Sequence, residues 1–299
     1  MRIIITGTGG RLGAAVSRHL RDRHRVVAWD RKALDLQSPE QIDDHFGGVE
    51  FDAVIHCAAL TGVDYCEAHP EEAHRVNTAA PAHIAGICAK RGARLIHIST
   101  DYVYQATAPG LRLESDPCQP IGVYGTTKRA AEIAVLAAHP DFLVARASWI
   151  FGPDRPGFVD SIIQRAQKQP DVSGIADKWS TPSYSVDQAV LLEALLLNPE
   201  ARGVVNLCNA GGCNWLEYGQ AALDIARMAG VPLRCTTLTP TRCADMSGFL
   251  IQRPIHTSMD TSRLAALTGQ RVRPWREALE DYIRTYYSSP PPSGSSRKF

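Results

Sequence analysis

Short apolar segments alternate with helical patterns through the first half of this chain. The predicted strands are 2–6, 25–29, 53–56, 94–98 and 142–147, and the predicted helices between them are 12–22, 39–46, 81–91 and 125–138. Such alternation is typical of a parallel sheet, because parallel neighbours need a long crossover connection, usually a right-handed helical one. The sequence therefore predicts an α/β fold with a doubly wound parallel sheet.

The alternation becomes less regular after about residue 150. Helical patterns lie at 158–169, 187–197, 215–229 and 275–286, and strand patterns at 203–207 and 233–238. We expect residues 1–150 to form the main domain and 151–287 a smaller C-terminal α/β lobe, some of whose segments return to the main domain. Residues 288–299 are rich in Pro, Ser and Gly and are predicted to be a disordered tail.

Composition narrows the classes of function. The formal net charge is +1, which gives no basic surface for nucleic acid or a membrane. The N-terminal apolar run is too short for a signal peptide, and we expect no membrane span. Eight cysteines without a C-x-x-C pattern and ten histidines without H-E-x-x-H predict free thiols and no metal site. We therefore expect a cytoplasmic protein.

A glycine cluster follows the first predicted strand. Gly7, Gly10 and Gly13 give G-x-x-G-x-x-G at the start of a helix. Glycine there permits a tight turn and close approach of backbone to a pyrophosphate, and the helix N-terminus offers free N–H groups. Asp30 ends the second strand, where an acid can bond a ribose hydroxyl. This combination, which includes Leu12 in the loop, predicts a dinucleotide site; the alternative is a glycine turn that only packs.

Nearby residues bear on the choice of cofactor. Arg11 and Arg31 are candidates to neutralise the 2′-phosphate of NADPH, or they are simply exposed, so both NADPH and NADH stay open. Ala58 and Ala59 end the third strand, where small side chains let the backbone approach a flat cofactor or pack a helix. Asn77 could bridge backbone groups near the site or cap a turn.

Tyr124 and Lys128 are four residues apart in a predicted helix, which places them on one face. A free tyrosine has a pKa of ~10. An ammonium ~4 Å away would be worth roughly 4 kcal/mol, and could lower that pKa by up to ~3 units. Tyr124 would then exchange protons near neutral pH. Thr100, or Ser99, in "STDYVYQ" could hold the same substrate oxygen at the strand end. The alternative is a polar strand cap.

These motifs resemble the extended short-chain dehydrogenase/reductases. More narrowly, "ISTDYVY", "VYGTTK", "ARASWIFG" and "RPIHTSMDTSRL" resemble the dTDP-4-dehydrorhamnose reductase family, in the same order across residues 1–287. The resemblance implies a Rossmann-type NAD(P)-binding domain and a sugar-nucleotide lobe. It implies hydride transfer from NADPH or NADH to the 4-keto group of a dTDP-4-keto-6-deoxy sugar, with dTDP-4-dehydrorhamnose reduced to dTDP-rhamnose as the leading case.

The resemblance also implies roles for single residues. Tyr124 would be the general acid, Lys128 would hold the nicotinamide ribose and tune Tyr124, and Thr100 would orient the carbonyl. The implied substrate-binding residues are Thr100, Asp101, Tyr102, Trp149 and Arg253. Without the resemblance, Trp149 could be a core aromatic and Arg253 a surface charge. A nucleotide-sugar substrate is the expected partner, and a homodimer is left open.

Three departures from the family pattern leave the exact sugar open. Residues 105–107 replace an Asp-Gly turn, Arg11 replaces Asn or Gln, and "DKWSTPSY" at 177–184 matches only loosely. One alternative function is a nucleotide-sugar epimerase, which shares the Tyr and Lys. A dehydratase is disfavoured because Tyr102, not Glu, follows Asp101. Another alternative is a regulatory subunit resembling that of methionine adenosyltransferase.

Overall fold

The chain alternates strands and helices, and the computed structural model describes residues 1–104, 108–246 and 248–288. The strands are β1 (Arg2–Thr6), β2 (Arg25–Trp29), β3 (Ala53–His56), β4 (Arg94–Thr100), β5 (Leu143–Ala147), β6 (Ile150–Phe151), β7 (Ser173–Ile175), β8 (Trp179–Ser180), β9 (Ser183–Tyr184), β10 (Gly203–Leu207), β11 (Cys213–Asn214) and β12 (Thr239–Thr241). The helices are α1 (Arg11–Leu20), α2 (Pro39–Gly47), α3 (Val63–Ala68), α4 (Pro70–His74), α5 (Ala80–Arg91), α6 (Gly122–Ala138), α7 (Phe158–Lys168), α8 (Ser185–Leu197), α9 (Trp215–Met228), α10 (Ser262–Thr268) and α11 (Trp275–Tyr287). A π-helical turn, Arg75–Ala79, joins α4 to α5.

Six strands form a parallel sheet in the order β10-β5-β4-β3-β1-β2. The chain winds outward from β1 in both directions, first to β2 and then through β3, β4 and β5. This reversal creates a crevice outside the carboxyl ends of β1 and β3, where open α/β sheets bind ligands. The predicted α/β fold of the Rossmann type is confirmed.

Apolar runs line both faces of this sheet. Ile3 and Ile5 of β1 pack with Val16 of α1 on one face, whereas Ile4 packs with Phe46 of α2 on the other. Because neighbouring residues of a strand point to opposite faces, a strand covered on both sides is apolar at every position. This burial explains why the predicted strands show continuous apolar runs.

The second half of the chain builds a separate core and also extends the sheet. Phe151, Tyr184, Tyr218, Trp275 and Tyr282 belong to one buried cluster, to which α7, α9 and α11 contribute. By contrast, β10 pairs with β5, and α8 packs against α1 on the main sheet. The C-terminal lobe is thus threaded through the first unit, which fixes the position of one relative to the other.

One predicted strand is wrong. Residues 233–238 form no strand, and β12 begins only at Thr239, parallel to β7. The amides of Arg234 and Cys235 both donate to the carbonyl of Ala166, and the amide of Leu238 donates to the Gln220 side chain. These backbone groups are satisfied by helix ends and a side chain, so a ladder is not required.

The remaining predicted elements are present, with ends shifted by at most three residues. All eight cysteines lie in the described residues and are free thiols. Within the described ranges, no helix is long and apolar enough to cross a membrane. The predicted tail lies outside the described residues from 289 onward, as do residues 105–107 of the altered loop.

Candidate active site

A cleft of about 910 Å³ opens at the carboxyl ends of β1, β3 and β4. It lies at the crevice created by the reversal of the sheet. Every candidate site residue named from the sequence lines it except Arg253 and Asn77. Those residues are Gly7, Gly10, Arg11, Leu12, Gly13, Asp30, Arg31, Ala58, Ala59, Ser99, Thr100, Asp101, Tyr102, Tyr124, Lys128 and Trp149. The structure thus brings together residues that are more than a hundred positions apart.

The glycine loop is packed too closely for side chains. Gly7 has φ +74°, and a Cβ there would lie 2.6 Å from the Ala58 nitrogen. A Cβ on Gly13 would lie 2.3 Å from the Gly7 oxygen. Helix α1 begins after Gly10 with no side chain capping its first N–H groups. These donors and the space above the loop fit the pyrophosphate of a dinucleotide.

The turn after β3 is held by a buried amide. Asn77 accepts a hydrogen bond from the Leu60 amide (2.8 Å) and donates to the Leu60 carbonyl (2.9 Å). It bridges backbone groups beside the cleft, which was one of its two expected roles. The arrangement fixes the path of Ala58 and Ala59 past the glycine loop.

Two charged residues lie where β2 reaches the cleft. Oδ1 of Asp30 accepts hydrogen bonds from the Lys32 and Ala33 amides, which fixes the carboxylate at the strand end. The Arg31 side chain is 79% exposed, with Glu72 as its ion-pair partner at 3.7 Å. Asp30 can therefore face ribose hydroxyls while Arg31 remains free to move toward an added phosphate.

Arg11 has a different environment from either alternative considered for it. Its guanidinium donates to the carbonyls of Ile150 (2.9 Å), Arg155 (3.0 Å) and Pro156 (2.6 Å). The side chain is partly buried, and its hydrogen bonds hold β6 and the loop after it next to the glycine loop. It is neither a simple exposed charge nor poised beside Asp30.

The hydroxyl cluster forms where α6 packs against the end of β4. A Cβ on Gly125 would lie 2.6 Å from the Tyr102 carbonyl oxygen, so the helix approaches the turn more closely than alanine allows. This contact brings buried Tyr124 within hydrogen-bonding reach of Thr100. The Tyr102 and Tyr124 rings meet edge to face with their centres 5.7 Å apart. The predicted pairing of a strand-end hydroxyl with the helix phenol is present.

The expected lowering of the Tyr124 pKa by Lys128 is wrong for this arrangement. Burial raises the pKa of Tyr124, the Asp101 carboxylate raises it further, and a hydrogen bond with Thr100 opposes both. Lys128 exerts no such influence, because its ammonium donates to the Ile98 carbonyl (2.7 Å) and to Nε2 of His97 (3.1 Å). Burial lowers the pKa of Lys128 itself to about 8.

Sequence reasoning missed His97 as a partner of Lys128. His97 is fully buried, and it aligns with His56 across β3 and β4, with the rings stacked 5.4 Å apart. Oγ1 of Thr6 lies 2.7 Å from Nδ1 of His56. Burial lowers the pKa of both imidazoles, so both are neutral and Nε2 of His97 accepts from Lys128. A histidine inside each of two apolar strands was the available signal.

A second buried lysine was also missed. Lys178 is 1% exposed, and its ammonium lies 5.0 Å from the centre of the Tyr102 ring. Burial lowers the pKa of Lys178 to about 8, against the opposing effect of Asp101. The residue lies in the segment 177–184, which matched the family pattern only loosely. Lysine among aromatic and hydroxyl residues was the only sequence signal.

Asp101 lies below the hydroxyl cluster. Its carboxylate accepts hydrogen bonds from Thr100 (3.1 Å) and Ser148 (2.9 Å). Burial raises its pKa, while Lys178 and these hydroxyls lower it. Asp101 therefore contacts Thr100 directly and orients its hydroxyl.

Trp149 and Arg253 lie on the side of the C-terminal lobe. Trp149 has φ +42° and stacks on Trp215 with ring centres 4.9 Å apart, at the wall of the cleft. Arg253 is only 8% exposed and donates through Nη2 to Asp64 at 2.5 Å. Its Nη1 is buried and has no hydrogen-bond partner in the part of the chain that the structure describes. Arg253 is thus not a plain surface charge.

The chain is similar to proteins of known activity over nearly its whole length. The model of the RmlD substrate binding domain family matches residues 1–288. A dTDP-4-dehydrorhamnose reductase of Mycobacterium tuberculosis is 35% identical over 294 residues, covering 93% of this chain and 91% of the relative. One from Mycolicibacterium smegmatis is 33% identical, covering 94% and 85%.

The fold is similar to that of solved structures as well. The structure of dTDP-4-dehydrorhamnose reductase from Bacillus anthracis in complex with NADP gives a TM-score of 0.87 at 27% identity, covering 95% of this chain and 99% of that one. A Clostridium acetobutylicum dTDP-4-dehydrorhamnose reductase gives 0.88 at the same identity, covering 95% and 99%.

Proposed function

Because this chain belongs to the dTDP-4-dehydrorhamnose reductase family, we propose that its cleft reduces the 4-keto group of a dTDP-4-keto-6-deoxy sugar. The chain is an NAD(P)H-dependent oxidoreductase. The leading reaction is the conversion of dTDP-4-dehydrorhamnose to dTDP-rhamnose. The observation that carries the proposal is the meeting of Thr100, Tyr124 and Lys128 at the wall of a cleft whose other end is the glycine loop.

The cofactor site is proposed to run from the end of β2 to Lys128. Bound NADPH or NADH would supply the hydride. The N–H groups at the start of α1 would bind its pyrophosphate, and Asp30 would accept from the adenosine ribose. Lys128 uses two of its three donors on His97 and Ile98, which leaves one for the hydroxyls of the second ribose.

Tyr124 is proposed to give a proton to the 4-keto oxygen. Its raised pKa keeps the phenol protonated at neutral pH, which is the form that a general acid needs. Thr100 would hold the same oxygen once its hydroxyl, which donates to Asp101 in this structure, turns toward the substrate. On substrate binding the phenol would exchange its hydrogen bond with Thr100 for one to the substrate oxygen, and the charge that develops on that oxygen would meet two adjacent hydroxyl groups.

We further propose that residues 1–150 mainly bind the dinucleotide and that 151–287 mainly bind the sugar nucleotide. The free donor of Arg253 would bind a diphosphate oxygen, since a buried donor without a partner is costly. The stacked Trp149 and Trp215 offer an aromatic surface for the base or sugar. A cytoplasmic location and a homodimer stay predictions, which fractionation and sedimentation velocity would test.

The decisive experiment mixes the purified chain with NADPH or NADH and a dTDP-4-keto-6-deoxy sugar and identifies the product. We expect one cofactor oxidised per 4-hydroxy sugar formed. The free sugar without dTDP should react poorly, since binding energy from the nucleotide orients the reacting carbon. An epimerase would isomerise sugar without net oxidation, and a regulatory subunit would turn over neither compound; both results oppose the proposal.

A further inference from the structure

The segment 150–156, which we call the rim segment, borders the cleft beside the glycine loop. Ile150, Arg155 and Pro156 line the cleft together with Gly9 and Gly10. No motif in the sequence singles this segment out as part of the cofactor site. Its position nevertheless brings it close to where a pyrophosphate would lie on the start of α1.

Two arginines of α1 attach the rim segment to that helix. Arg11 donates to three of its backbone carbonyls, at 2.6–3.0 Å. Arg18 binds both oxygens of Asp154, at 2.5 and 3.1 Å. The two arginines are seven residues apart and so share one side of α1. The rim segment is therefore held at both of its ends relative to the helix that opens the cofactor site.

This attachment presents Arg155 to the cleft. The Arg155 side chain is exposed, lines the cleft, and has no ion-pair partner among residues 1–104, 108–246 and 248–288. The nearby acids are already engaged. Asp154 binds Arg18, and Asp160 accepts from Tyr282, Tyr287 and the Gly157 amide. Arg11 holds the backbone of Arg155 at the cleft, and a guanidinium there that is left without an acid is well suited to a phosphate oxygen.

We propose that Arg155 binds the pyrophosphate of the dinucleotide from the side opposite the glycine loop. Arg11 is the positioning residue that holds Arg155 there. This assignment rests on the proposed function only for the identity of the cofactor. It gives Arg11 a structural task in place of the asparagine or glutamine expected at its position.

The test measures dissociation constants by nucleotide fluorescence or calorimetry, without turnover. Arg155→Ala should raise the dissociation constants of NADPH, NADH and ADP-ribose about five- to thirtyfold each, because all three ligands contain the pyrophosphate. Binding of dTDP should be unchanged. Arg155→Lys should recover part of the loss, and Arg155→Glu should lose more. Arg271→Ala removes an exposed arginine that does not line the cleft, and should change nothing.

Arg11→Met tests the positioning role. It should weaken binding of the same three ligands. The double variant Arg11→Met/Arg155→Ala should lose less affinity than the product of the two single losses, since Arg11 acts through Arg155. Loss confined to NADPH would assign Arg155 to the 2′-phosphate, and loss confined to dTDP would assign it to the substrate. Either result, or unchanged affinities, overturns the proposal. If wild-type chain binds dinucleotide but reduces no dTDP sugar, the proposed function fails while this inference stands.

Discussion

Lys128 shows how burial tunes a single residue of the site. Its ammonium is fully buried, its neighbours His97 and His56 are neutral, and burial lowers its pKa to about 8. The ordinary lysine pKa lies higher, so Lys128, like Lys178, loses its charge just above neutral pH. The spacing of Tyr124 and Lys128 correctly predicted that both side chains lie on one face of the helix. The prediction that Lys128 lowers the pKa of Tyr124 was wrong, because the ammonium is bound to His97 and Ile98 instead.

We expect cofactor affinity to fall above pH 8. The charged form of Lys128 is present below its pKa and is lost as the pH rises through about 8, which removes a strong donor to the ribose. The dissociation constant for NADPH should rise about tenfold between pH 7 and 9.5. Lys128→Met should bind weakly and without this pH dependence. A wild-type constant that is flat over the range would contradict the role of Lys128.

We expect Arg31 to decide how well the added phosphate of NADPH is accepted. It is exposed beside Asp30, whereas the guanidinium of Arg11 is occupied by carbonyls. We expect kcat/KM for NADPH and NADH to differ by less than about a hundredfold, since one polar contact is worth ~1–3 kcal/mol. Arg31→Ala should lower the NADPH value about five- to tenfold and leave NADH unchanged. A preference beyond about a thousandfold for either cofactor in the wild type would contradict the idea that Asp30 and Arg31 together accept both.

At the scale of elements, α6 is joined to β5 by a buried ion pair. Glu132 and Arg146 are both at most 1% exposed and share two hydrogen bonds, at 2.9 and 2.8 Å. Glu132 lies one turn beyond Lys128 on the same helix. The pair therefore fixes the helix that carries Tyr124 and Lys128 against the sheet.

Glu132→Gln should lower the free energy of unfolding by about 3–5 kcal/mol, because it leaves the Arg146 charge buried without its partner. Asp141→Asn breaks a pair with Arg202 that is more than half exposed and 3.6 Å long, and should cost under about 1 kcal/mol. Urea unfolding followed by circular dichroism measures both. Equal losses in the two variants would show that the buried pair contributes no more than a surface pair.

Strand and helix positions were predictable where burial imposes an apolar period. The prediction of a strand at 233–238 was wrong because Gln220 and the end of α7 form hydrogen bonds with the backbone of this segment. No local sequence pattern indicates partners so far away along the chain. The same limit hid Lys178 and His97. Spacing along one helix predicted the Tyr124 and Lys128 pair. Contacts between separate strands, such as His56 beside His97, depend on register that the sequence does not display.

At the scale of the whole molecule, two neutral histidines in the sheet affect stability in acid. Burial lowers the pKa of His56 to about 3 and that of His97 well below its ordinary value of 6.5. Below pH 6.5 the unfolded chain binds protons that the folded chain does not, so stability is complete above that pH and falls with acid. Each histidine contributes up to ~1.4 kcal/mol per pH unit.

We therefore expect the free energy of unfolding to fall by about 2–4 kcal/mol between pH 6.5 and 5.0. His56→Gln should reduce this dependence by about half, and His19→Gln serves as a control, since His19 is a half-buried surface residue bound to Glu193. Urea titrations at several pH values give the numbers. A wild-type stability that does not change over this range would mean that the imidazoles are not kept neutral by burial.

The cleft itself depends on both halves of the chain. Thr100, Tyr124 and Lys128 come from the main sheet and its helix, whereas Lys178 and Arg253 reach the same region from the C-terminal lobe. Because β10 pairs with β5 and α8 packs against α1, the C-terminal lobe is held in place relative to the main sheet, and these residues stay close together. The central claim is that Tyr124 donates the proton to a substrate oxygen that it shares with Thr100.

Turnover of Tyr124→Phe tests that claim most directly. With a dTDP-4-keto-6-deoxy sugar, kcat should fall about 10²–10⁴-fold while NADPH still binds as in wild type, since the glycine loop is untouched. Thr100→Val should lower kcat about ten- to a hundredfold. The double variant should lower kcat by less than the product of the two single losses, because the effects of groups acting as a unit are not additive. Near-normal turnover of Tyr124→Phe would contradict the account and leave the hydroxyl cluster as a polar strand end.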